Sequence, residues 1–130
     1  MKAMLLLIFV AVFFDVAAQN DTFSTKDEPY MVVEKMPEFP GGEKALSDYL
    51  KKEIKYPQSA IKDKIQGLVI VSFIVETDGS VSSVNVLKGV SEELDNEAVR
   101  VVKAMPKWTS GYQKSKAVRV MLNLPIRFQL

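Results

Sequence analysis

Glu92 and Glu93 come closest in this sequence to a pair of acid-base carboxylates, but adjacent residues on a helix point in different directions. They also stand where a helix begins, which favours solvated carboxylates. The chain has no Cys and no His, which removes the thiol nucleophile, the Cys/His zinc site and the Ser-His-Asp relay. An enzyme is therefore not expected, and neither a cofactor nor a metal ion is called for. What remains able to form specific bonds is the backbone. Near the C-terminus Val118, Val120, Leu122, Leu124, Ile126 and Phe128 alternate with Ala117, Arg119, Met121, Asn123, Pro125, Arg127 and Gln129, the period of a strand with one apolar face. Pro125 has no N–H and is poorly tolerated between two strand neighbours, so this strand is expected at a sheet edge. An edge carries a row of unpaired N–H and C=O groups.

The elements that would position such an edge are legible in turn. From Glu43 to Ile54 the apolar residues Ala45, Leu46, Tyr49, Leu50 and Ile54 recur at helical spacing. Tyr56-Pro57 ends that helix, and a shorter helical stretch runs from Gln58 to about Lys64. Leu68 to Val75 is almost continuously β-branched and aromatic, the pattern of a strand flanked on both sides. Thr77-Asp78-Gly79-Ser80 supplies a tight reversal, and Val81 to Lys88 runs back as its hairpin partner. Ser91 is placed to cap the next helix, whose stripe of Leu94, Ala98, Val101, Val102 and Met105 faces inward until Pro106 stops it. Glu97 and Arg100 can pair on its outer side. Trp108 is expected as a lid on the core and Phe39 as a packing residue.

At 130 residues, with 48% hydrophobic and 25% charged side chains, the chain suffices for one core. The formal charge of +1 comes from 17 basic and 16 acidic residues that interleave, so nothing points to nucleic acid. At the N-terminus Lys2 precedes an apolar run from Met4 to Phe14, then Asp15 and Val16-Ala17-Ala18. As a helix that run spans roughly 16 Å against a hydrocarbon core of about 30 Å. It reads as a signal peptide over 1–18, cleaved after Ala18. The alternative, an uncleaved inner-membrane anchor facing the periplasm, must bury Asp15 in lipid. Residues 19–36 are expected to form a flexible leader, and 37–130 the folded domain.

Several motifs in order carry a family resemblance: Met36-Pro37-Glu38-Phe39-Pro40-Gly41-Gly42, Ile54-Lys55-Tyr56-Pro57, Ile65-Gln66-Gly67-Leu68-Val69, Thr77-Asp78-Gly79, Leu94-Asp95 with Glu97-Ala98-Val99-Arg100, Met105-Pro106-Lys107-Trp108, and Leu124-Pro125-Ile126-Arg127-Phe128. Together they resemble the C-terminal domain of TonB, the periplasmic energy transducer. The resemblance implies an α+β fold with a three-stranded antiparallel sheet, in which a β-β-α-β core follows one or two short helices. Thr109-Ser110-Gly111 and Ser115-Lys116-Ala117 depart from the family's usual Pro-containing loops. As read, the chain also lacks the membrane helix and long Pro-rich span of a full transducer.

The resemblance further implies a periplasmic protein that takes up the TonB-box peptide of outer-membrane receptors as an added strand, supporting energy-coupled transport. Carried onto this sequence, the edge is the final strand, with Lys55, Tyr56 and Pro57 nearby; because Pro125 leaves a gap in the donors, pairing is expected mainly along Ala117, Val118, Arg119, Val120, Met121, Leu122 and Asn123. Lys116 and Arg119 would steer an acidic flank. Inner-membrane motor proteins, reached through another subunit, are further implied partners. The same long strand also suits a homodimer paired strand to strand, without a transport role.

Overall fold

The computed structural model describes residues 28–130, so the signal peptide expected over 1–18 and the leader up to residue 27 lie outside the described residues. Two short helices come first, α1 (Gly42–Glu53) and α2 (Gln58–Lys62). They are followed by β1 (Gly67–Val75), β2 (Val81–Lys88), α3 (Glu92–Lys103), β3 (Gly111–Gln113), β4 (Lys116–Val118) and β5 (Val120–Phe128). The expected β-β-α-β core is present as a three-stranded antiparallel sheet in the order β2-β1-β5, with β3 and β4 forming a separate two-stranded ribbon.

The continuous apolar run of β1 reflects its central position, where Val69, Val71, Phe73 and Val75 are buried between two pairing partners. Those side chains meet Leu94, Ala98 and Val102 of α3 and Ile126 and Phe128 of β5 in one core. Ser91 caps α3 as expected, its Oγ accepting the Leu94 N–H at 3.3 Å. Three acidic residues in the first turn and two basic ones in the last complement the helix dipole. The expected pairing of Glu97 with Arg100 is made at 2.7 Å.

The reversal between β1 and β2 is bound to the loop after α3. Asp78 Oδ1 accepts the Ser80 N–H at 3.0 Å, while Trp108 N donates to Gly79 O at 2.8 Å. Gly79 has φ of 89°, and a Cβ there would stand 2.1 Å from Trp108 O, so the close approach requires glycine. Trp108 itself is 8% exposed. Its ring meets Phe39 edge-on at 5.6 Å and Phe73 at 5.5 Å, the lid on the core that its position suggested.

One element differs from expectation. The alternating run from Ala117 to Gln129 is not one strand, because it breaks at Arg119. Lys116–Val118 pairs with Gly111–Gln113, whereas Val120–Phe128 pairs along its whole length with β1. The break lets the chain close a two-residue hairpin at Lys114-Ser115, both at positive φ, before entering the main sheet. Among the described residues no helix is long and apolar enough to cross a membrane.

Candidate docking edge

β5 has β1 on one side; what stands on its other side can be worked out from one bond. Met121 N donates away from β1, to Tyr30 O at 2.8 Å. Because backbone direction alternates along a strand, the N–H and C=O of residues 123, 125 and 127 also face outward, while those of 120, 122, 124, 126 and 128 face β1. Pro125, opposite Ile70, therefore has its donor-less nitrogen on the outer side, where no ladder bond is lost. Among the described residues, no backbone bond is made by the outward groups of Asn123 and Arg127. Both side chains are exposed.

Beside this open stretch lies a cleft. Leu122 and Leu124 point to the core face, as Val120 and Ile126 do, yet are only half-buried. The reason is α1, which lies at the rim of the core without a fully buried residue and stands off from mid-β5. Leu122, Leu124, Leu46, Phe39, Met36 and Trp108 are among the residues lining a cleft of about 360 Å³. A second, also of about 360 Å³, lies toward the end of β5, with Lys51, Tyr56, Arg127 and Phe128 among the residues lining it. α1 is fastened by the Tyr49 hydroxyl, which donates to Val101 O at 2.9 Å; burial raises the pKa of that phenol.

The residues expected to form the site fall into separate groups. Tyr56 stacks edge-on against Phe128 at 5.6 Å and its hydroxyl donates to Ile65 O, so it stands by the end of β5 rather than by 117–123. Pro57 caps α2. Lys55 N donates to Glu97 Oε2 at 2.7 Å, and Arg100 Nη2 donates to Glu53 O at 2.9 Å, which clamps this loop onto α3. The Arg100 hydrogen bond, and then Lys55 N–H, hold the Glu97 carboxyl below its ordinary value.

Lys116, Ala117 and Val118 belong to the ribbon with β3. Arg119 Nε donates to Glu76 Oε1 at 2.7 Å, so its charge is matched within the molecule rather than offered to an acidic flank. That guanidinium, and then the Ser82 hydroxyl, lower the Glu76 pKa. Val120, Met121, Leu122 and Asn123 are on β5, but Val120 has Val75 on one side and Tyr30 on the other. Among the described residues, the open part of the edge thus begins at Asn123 and extends toward Arg127.

Residues 28–36, part of the expected leader, run against the body. Tyr30 bridges to Val120 and Lys35 to Tyr112. Glu34 N donates to Gln113 Oε1 at 2.9 Å, and Lys114 N donates to Glu34 Oε1 at 2.8 Å. Reading by charge alone passes over this strap. Its signal is the apolar run Tyr30-Met31-Val32-Val33 within an otherwise polar stretch.

Comparison with known proteins agrees with this architecture. Two solution structures of the Helicobacter pylori TonB-CTD are similar to the chain. One, of residues 179-285, is 26% identical with a TM-score of 0.50, covering 65% of this chain and 77% of that one. The other, of residues 194-285, is 25% identical with a TM-score of 0.50, covering 66% and 90%. No curated protein matches. Residues 52–130 match the family described as Gram-negative bacterial TonB protein C-terminal. The chain therefore belongs to the TonB C-terminal family, non-enzymatic domains involved in TonB-dependent transport at the cell envelope.

Proposed function

We propose that this domain takes up the N-terminal TonB-box peptide of an outer-membrane receptor as a fourth strand on the outer edge of β5, in the periplasm, and so supports energy-coupled transport. The observation that carries this reading is the outward backbone from Asn123 to Arg127, unbonded among the described residues and lying beside the apolar cleft at Leu122 and Leu124. Backbone groups supply affinity in strand addition, and pockets for alternate side chains supply preference. β2, the other edge of the sheet, is less suited. Its register shifts twice against β1 and Ser83 adopts a positive φ, irregularities that blunt an edge.

Export by residues 1–18 and force supplied by inner-membrane motor proteins through another subunit belong to the same proposal. The test is titration of the isotopically labelled domain with synthetic receptor N-terminal peptides. Shifts are expected at the Asn123 and Arg127 amides, with β2 undisturbed. Silence across a panel of such peptides overturns the reading. A second copy of the chain could use the same edge, and sedimentation at micromolar concentration separates that outcome, since a strict monomer excludes it.

A further inference from the structure

Tyr30 sits on the same edge. Its N–H donates to Arg119 O at 2.9 Å and its C=O accepts from Met121 N at 2.8 Å, in a parallel bridge opposite Val120. The strap then leaves the track, for Val32 is 78% exposed and no bridge joins it to Leu122. It is held again only at Val33, which is 7% exposed, and at Lys35 against the β3–β4 ribbon. Tyr30 is thus the single strap residue paired to the main sheet among the described residues.

That bridge sets the geometry of the whole track. A parallel strand continuing from the position of Tyr30 would place its next same-phase residue opposite Leu122 and the one after opposite Leu124. Side chains of directly opposed residues share a face, so both would project over the cleft lined by Leu46, Phe39 and Met36.

We propose that the docking edge extends back beneath Tyr30 to Arg119, and that an extended peptide with apolar residues at alternate positions displaces Tyr30, running parallel to β5 with those residues over Leu122 and Leu124. This rests on the reading of β5 as a docking edge and adds an internal competitor, the Tyr30 bridge that the guest must displace. The exchange is balanced, because a guest reproduces both Tyr30 bonds and adds those to Asn123 and Arg127. The strap's occupancy then sets the apparent affinity: a strap closed in about nine of ten molecules weakens the guest about tenfold.

The full chain is compared with Tyr30→Pro, which removes the donor to Arg119 O, and with Val33→Asp, which loosens the strap from its buried anchor. The probes are two synthetic peptides of one composition, the first with valines at alternate positions and the second with valines adjacent. The alternating peptide is expected to bind both variants about 3- to 10-fold more tightly than the unaltered chain. In the unaltered chain it should shift the Met121 amide and release that of Tyr30. Equal affinity for all three proteins, with the Tyr30 amide unmoved at saturation, overturns the displacement alone. Equal binding of the two peptides overturns the residue pattern. Absence of binding to any of the three proteins removes the docking reading and this proposal with it.

Discussion

Two neighbouring proline substitutions test the phase of β5, on which the docking edge depends. Asn123 faces its N–H outward and Leu124 faces its N–H toward Val71. Asn123→Pro removes a donor that makes no bond within the described molecule, as Pro125 already does two residues on. Its cost is the restriction of φ toward about −65°, for which we expect about 1 kcal/mol or less. Leu124→Pro removes a ladder bond and leaves the Val71 C=O buried without its partner, at about 1–3 kcal/mol. It also places the ring against that carbonyl and trims a half-buried leucine, at about 1 kcal/mol more. The sum is about 2–4 kcal/mol, a large part of the stability of a small domain. Urea unfolding followed by Trp108 fluorescence measures both. For a docked peptide, Asn123→Pro removes one net backbone hydrogen bond of about 0.5–1.5 kcal/mol, or about 2- to 12-fold in affinity. If Asn123→Pro unfolds the domain as severely as Leu124→Pro, the strand has the opposite phase and the outward row of groups does not exist.

Other substitutions probe the parts that hold the edge in place. Gly79→Ala should destabilise by about 3 kcal/mol or more, since it strains a left-handed residue and drives a Cβ into Trp108 O; a midpoint in urea near that of the unaltered chain refutes the contact. Ser115→Gly should stabilise by about 0.5–1 kcal/mol, because the two-residue turn holds Lys114 and Ser115 at φ of 51° and 65°; thermal melting reads it. Glu97→Gln should cost about 0.5–1.5 kcal/mol at neutral pH by weakening the bonds to Arg100 and Lys55. Glu97 is held below its ordinary value of 4.5 in the folded state, so its contribution is complete above 4.5 and is lost as pH falls through the lower folded value. The gap between Glu97→Gln and the unaltered chain should therefore close in acid, and a gap independent of pH would contradict the clamp.

The elements themselves were legible because each depends on neighbours in sequence. The helical spacing of Leu46, Tyr49 and Leu50, the Ser91 cap, the Asp78-Gly79 reversal and the continuous apolar run of β1 all appear where periodicity placed them. Pro125 told of an edge for the same reason, since its missing N–H is a property of the residue and not of its surroundings. The break at Arg119 was not legible. Alternation of apolar and polar residues runs unbroken through Val118 and Val120, and only the competing partners β3 and β1 divide it.

The sequence by itself determined the first two helices, the β1–β2 hairpin, the capped helix α3 and which faces of these elements are apolar. Tertiary structure alone decided which part of the edge is open. Arg119 is matched by Glu76, which lies 43 residues away in sequence, and Val120 is covered by Tyr30 from a stretch that composition marks as leader. Such pairings follow from which distant groups meet when the core closes, and spacing along the chain carries no record of them.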